Sequence, residues 1–122
     1  MIQDRELAIL KFQYAHLVRR HRKRFKTKVV SLQEYCKMVK DRCGYCGIVG
    51  LTVLEDRRCW TKSKGLISDT VVKINGIDRK NSDKGYTKDN VVTCCKHCNT
   101  AKNTMSEDDF YKWVKRVYKY NF

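Results

Sequence analysis

Two Cys-x-x-Cys pairs, Cys43/Cys46 and Cys95/Cys98, constrain this 122-residue chain more than any other feature. Such a turn aims two sulfurs at one point, and two turns together close a tetrahedral site of four thiolates. Seven cysteines could mean disulfides in a secreted chain. Here the count is odd, the N-terminus carries no signal-peptide core, and four of the seven fall in the paired pattern. The expectation is one structural zinc held by Cys43, Cys46, Cys95 and Cys98, in a reducing, intracellular compartment. Four thiolates leave no open position, so this metal would hold the fold and do no chemistry. Gly47, just past Cys46, suits the left-handed position that ends such a knuckle. Cys94 competes with Cys95, but only Cys95 has two-residue spacing to Cys98. Cys94 and Cys59 read as thiols outside the site, and the His97 ring is expected to point away from it.

Charge narrows the partner. Lys and Arg number 27 against 13 acids, a net +14 with a pI near 9.6. So basic a small domain implies an anionic partner, nucleic acid first, with an anionic membrane surface or an acidic protein as alternatives. No run approaches the ~18 apolar residues of a membrane span, and no basic amphipathic helix favours a membrane surface. The cations concentrate at Arg19, Arg20, Arg22, Lys23, Arg24, Lys26 and Lys28, with no acid among them. Like charges this dense repel, so a phosphate backbone is the expected contact, against the plainer reading of a solvated surface.

The chain has no proline and no Gly/Ser linker, so nothing marks a sharp boundary. Residues 1–30 read as a helix and basic arm, residues 31–122 as the zinc-stabilised unit. Leu7, Leu10, Tyr14 and Leu17 recur at helical spacing, predicting a first helix capped at Asp4 and running to about residue 20. Ser31-Leu32-Gln33-Glu34 is a capping box opening a second helix to about residue 41, with Leu32, Tyr35, Cys36 and Val39 on its apolar face. Residues 51–70 read as loop with short strands, and Val71–Ile77 with Asn90–Thr93 as a hairpin. A short helix should start at the second knuckle. A last helix from Ser106 should bury Phe110, Trp113, Val114, Val117 and Tyr118 and expose Lys112, Lys115, Arg116 and Lys119.

The run Asn75-Gly76-Ile77-Asp78-Arg79, then Lys84-Gly85-Tyr86, Asn90-Val91-Val92 and Cys95-x-x-Cys98-Asn99-x-x-Lys102, resembles the HNH endonuclease family over roughly residues 43–110. The resemblance implies a small α+β domain: a ββα-metal hairpin and helix, pinned by the four-cysteine zinc and flanked by helices at both ends. It implies a divalent-metal-dependent DNA endonuclease that leaves a 3′-hydroxyl and a 5′-phosphate. Asp78 and Asn99 would bind Mg²⁺ or Mn²⁺, Asn90 would hold the loop between the strands, and Arg79 and Lys102 would contact phosphate. The family usually has Asp-His where this chain has Asp78-Arg79, and that His is the base. Arginine stays protonated and cannot take a proton. Members from phages and large DNA viruses share the Asp-Arg step, which implies a viral or phage protein acting on nucleic acid in the host cell or virion. Of the remaining histidines, His16 and His21 lie on or just past the first helix and His97 in the knuckle. Asp83 and Asp89 fit turn chemistry as well as catalysis, and a metal lowers the pKa of its own water without a protein base. The rival expectation is an HNH-fold zinc protein that has lost catalysis and binds DNA or RNA as an accessory module. A zinc-stabilised part of a larger nucleic-acid machine or virion is the third.

Overall fold

The structure, a computed structural model, describes residues 4–55, 60–61, 65–66 and 71–122. The Cys59 position lies outside these residues. Helix α1 spans Asp4–Arg24, a full turn longer than the apolar spacing predicts. His21, Arg22, Lys23 and Arg24 occupy its last turn, where cations interact favourably with the carbonyl end of a helix. Helix α2, Leu32–Val39, begins at the predicted capping box. Glu34 N–H donates to Ser31 Oγ at 3.1 Å, and Ser31 N–H donates to Glu34 Oε1 at 3.2 Å.

Among the described residues three two-stranded antiparallel ladders follow. Strand β1, Thr52–Glu55, pairs with β4, Val71–Ile74; β2, Trp60–Thr61, pairs with β3, Gly65–Leu66; and β5, Gly76–Arg79, pairs with β6, Val91–Cys94. The expected strand Val71–Ile77 is therefore two strands with different partners. The break is Asn75, which is fully buried. Its Nδ2 donates to Asp41 O at 3.0 Å and Ile48 O at 3.1 Å, while its own N–H donates to Val39 O at 2.8 Å. With its amide spent outside any ladder, Asn75 hands the chain from β1 to β6. In the second ladder Asp78 lies opposite Val92 and Arg79 opposite Val91.

A single apolar centre joins the N-terminal helix to the rest. Ile9, Leu10 and Leu17 of α1 lie in one cluster with Tyr35, Cys36 and Val39 of α2 and with Val72, Ile74 and Val91 of the strands. The first thirty residues thus share the core of residues 31–122. Helix α3, Lys96–Lys102, starts directly from the second knuckle. Helix α4, Glu107–Asn121, is capped by Ser106 Oγ, which accepts from Asp109 N–H. Its packing differs from expectation. Only Phe110 is buried, whereas Trp113, Val114, Val117 and Tyr118 are exposed. The stripe is present, but nothing among the described residues covers it. No helix among the described residues is long and apolar enough to cross a membrane.

Candidate functional site

The sulfurs of Cys43, Cys46, Cys95 and Cys98 all lie within 4.8 Å of one another, with Cys46 Sγ 3.7 Å from Cys95 Sγ. Four sulfurs at about 2.3 Å from a tetrahedral ion stand about 3.8 Å apart, so the cluster has the spacing a thiolate-bound metal needs. The knuckles supply the expected amides: Tyr45 N–H donates to Cys43 Sγ and Cys98 N–H to Cys95 Sγ, each at 3.4 Å. Burial alone would raise the Cys43 thiol. Hydrogen bonds from the backbone of Cys95, Cys46 and Tyr45 outweigh it and bring the thiol down to about 6, whereas burial and the Cys46 and Cys95 side chains push the Cys98 thiol up. Gly47 turns the first knuckle with φ +77°, a conformation that costs glycine little. Gly44 lets the knuckle seat on β6. Its N–H donates to Thr93 O at 2.7 Å, and a Cβ there would strike the Val92 side chain. Cys94 is buried beside Cys43 but is not one of the four clustered sulfurs, its Sγ–H donating to Cys95 O at 3.4 Å, and His97 is exposed.

Below the knuckles a groove of about 400 Å³ runs between α1, β5 and the end of α3, and Asp78, Arg79 and Asn99 all line it. Arg20 of the basic stretch lines it too. Arg24 lines a second depression that also contains Arg79. Arg19, Arg22, Lys23, Lys26 and Lys28 are exposed and line neither depression. Asp78 is 7% exposed, and its Oδ2 accepts from Tyr45 OH at 2.9 Å and lies 3.0 Å from Lys102 Nζ. Burial, then the Asp78 carboxylate, pushes the Tyr45 phenol up, so it remains a donor. Lys102 sits differently from its expected phosphate contact. It is wholly buried, and its ammonium is spent on Asp78 and on Arg79 O at 3.0 Å. Asn90, also buried, spans the loop after β5. Its Nδ2 donates to Asn81 O and Gly85 O, and its Oδ1 accepts from Asn81 N–H.

Arg79 is clasped. Its Nη1 donates to Ser82 O at 2.8 Å and Lys84 O at 3.4 Å, and its guanidinium lies over the rings of Phe25 and Tyr86, 5.4 and 5.2 Å from their centroids. The residue that positions this clasp is His21, 2% exposed. Its Nδ1 accepts from Tyr86 N–H at 3.1 Å, which leaves Nε2 to donate to Thr27 O at 2.6 Å. Sequence reasoning missed Tyr45, Phe25, Tyr86 and the buried role of His21. The one available signal was an aromatic inside the first knuckle and another in the glycine loop.

No family model matches the chain. Over 88 residues it is 34% identical to an uncharacterized protein of Acanthamoeba polyphaga mimivirus, covering 72% of this chain and 13% of that protein. The chain thus spans a small part of that relative's length. In three dimensions it superimposes on the HNH restriction endonuclease PacI with a TM-score of 0.58, at 22% identity, over 90% of this chain and 77% of that one. The fold is the HNH endonuclease fold. Within it the β5–β6 hairpin and α3 form the ββα unit, and the four-cysteine cluster ties the first knuckle to the junction of β6 and α3.

Proposed function

We propose that this chain is a divalent-metal-dependent DNA endonuclease of HNH type whose fold is held by zinc at Cys43, Cys46, Cys95 and Cys98. The observation that carries the reading is the convergence of Asp78, Arg79 and Asn99 on one groove of an HNH fold, beside an exposed run of cations. Thiolates select a soft or borderline ion, and four of them close its coordination. Asp78 and Asn99 offer only side-chain oxygens or an amide, which suit Mg²⁺ or Mn²⁺. A divalent ion at these two residues would offset phosphate charge and lower the pKa of water. Arg79 keeps further guanidinium N–H donors beyond Nη1 with which to grip a phosphodiester, and the ring contacts hold that fork in place. Asn90 keeps the loop carrying Ser82 and Lys84 in register beneath it.

Purified protein with Mn²⁺ or Mg²⁺ is expected to nick plasmid DNA slowly, leaving 3′-hydroxyl and 5′-phosphate ends. Asp78→Asn combined with Lys102→Met, which preserves the hydrogen bond from Tyr45 without stranding the buried ammonium, should abolish nicking and leave DNA affinity nearly unchanged. Arg79→His restores the usual Asp-His pair and should raise the rate, since a general base contributes about 10²–10⁴-fold. A wild type and an Arg79→His variant both inert with either ion would sink the nuclease reading.

One observation favours a second reading. The Asp78 oxygen is already engaged by Lys102 and Tyr45, as befits an HNH-fold module that binds DNA or RNA without cutting it. Both readings share the α1 cations as a phosphate-binding surface. With about six phosphate contacts, the slope of log K against log salt on duplex DNA should be roughly −5. Neutralising Arg19, Arg22, Lys23, Lys26 and Lys28 to glutamine should flatten it. A slope that does not move would show the run to be a solvated face.

A further inference from the structure

We propose that Lys102 makes the divalent-ion site at Asp78 and Asn99 dependent on DNA, so that an ion is taken up only when a phosphodiester supplies the negative charge that Lys102 cancels. The inference rests on the endonuclease reading and concerns how that same site is loaded. Its ground is the balance of charge around Asp78. Among the described residues that line the groove, Asp78 is the one acid, whereas Arg20 and Arg79 both bring guanidiniums. Lys102 adds a third cation from the other side. It is wholly buried, lies outside the groove lining, and sets its Nζ 3.0 Å from Asp78 Oδ2. The carboxylate that should attract the ion is thus already neutralised, and the Asn99 amide carries no charge. Asp83 lines the neighbouring depression beside Arg24 and Arg79, so it brings no net negative charge to the groove.

Position makes the ammonium a fixed part of this balance. Asn99 and Lys102 stand three residues apart on α3, Asn99 in the groove and Lys102 behind it. A second hydrogen bond, to Arg79 O, holds Nζ in place, and Tyr45 OH reaches Asp78 from the first zinc knuckle. Both contacts to Asp78 fall on Oδ2, so Oδ1 is the oxygen that neither engages. An ion arriving at Oδ1 from the groove need not evict Lys102, but it meets three cations and a single carboxylate. Mg²⁺ is ordinarily held by one or two carboxylates together with the phosphate oxygens of a substrate. Here the phosphate is needed for its charge as well as for its oxygens. The cations that repel a divalent ion attract the DNA backbone, which sets the order of loading: strand first, ion second.

Mn²⁺ uptake by the full chain with zinc at its four cysteines, read from loss of the free-ion EPR signal, tests this with and without a short mixed-sequence duplex. The reference is Asp78→Asn with Lys102→Met, which removes carboxylate and ammonium together and leaves the net charge unchanged. Beyond that reference, the wild type alone should take up no Mn²⁺ even at millimolar ion, and with the duplex it should take up one ion per chain. Lys102→Met alone should bind Mn²⁺ without DNA, at least about tenfold more tightly than the wild type. Added Mn²⁺ should raise the thermal midpoint of that variant and not of the wild type. Should Lys102→Met fail to fold, the wild type still decides, because coupling between two ligands is reciprocal. At constant ionic strength Mn²⁺ should tighten duplex binding by the factor by which the duplex tightens uptake of the ion, and the reference variant should show neither effect. Asp78-dependent uptake by the wild type without DNA overturns the proposal and leaves the endonuclease reading standing. A folded Lys102→Met that still refuses the ion without DNA overturns it too. Uptake in no arm removes the site, and the proposal and the endonuclease reading fall together. DNA-dependent uptake by a chain that does not nick supports the role of Lys102 and counts against cutting alone.

Discussion

Chelation of the metal at Cys43, Cys46, Cys95 and Cys98 is expected to unfold this protein outright. The cluster joins the chain after α2 to the start of α3, so it closes a loop containing all three ladders. Around it the fold has little redundancy: the apolar core among the described residues is built from α1, α2 and the strands and includes none of the four clustered cysteines. Binding to such a site is worth about 10–16 kcal/mol in zinc peptides, as much as the whole stability of a domain this size, about 5–15 kcal/mol. Far-UV circular dichroism during titration with a strong chelator should show cooperative loss of helix, reversed by added Zn²⁺. Cys95→Ser should reproduce it without chelator. Acid should act in the same direction. A metal held by thiolates is released as those cysteines take up protons. A helix signal that survives full metal removal would mean the apolar core suffices alone.

Lys102→Met should also be damaging, by less and for a different reason. The wild-type ammonium is fully buried 3.0 Å from Asp78 Oδ2 and donates to Arg79 O. Methionine replaces the stem volume but strands a carboxylate that is itself only 7% exposed. Breaking a buried pair from one side typically costs about 3–5 kcal/mol, roughly a fifth or more of a total of about 5–15 kcal/mol. The midpoint of urea unfolding measures it. Lys102→Met combined with Asp78→Asn should recover part of the loss, because the double variant leaves no orphan charge; coupling of about 0.5–3 kcal/mol is the usual range for touching residues. A single-variant cost within about 0.5 kcal/mol, typical of surface sites, would show that the ammonium is solvated.

What this sequence determined by itself is local or chemical. The Cys-x-x-Cys spacing specifies both ligand and turn, and it is found intact as a cluster. The capping box at Ser31 needs only four consecutive residues and forms as read. The order of knuckle, strand-end Asp78, glycine loop and second knuckle was sufficient to indicate the HNH fold. What only the tertiary structure decided depends on partners far along the chain. A strand pattern cannot name its neighbour, so the division of Val71–Ile77 at Asn75 emerged only from the carbonyls of Val39, Asp41 and Ile48 around that amide. A long cation can lie on a surface or reach inward. Lys102 turned inward because Asp78 and Arg79 O lie within reach of α3, and His21 went inward amid a run of exposed cations because Tyr86 N–H and Thr27 O were there to satisfy it. A helical apolar stripe records that a face seeks cover without recording what provides it, and for α4 beyond Phe110 no described residue does.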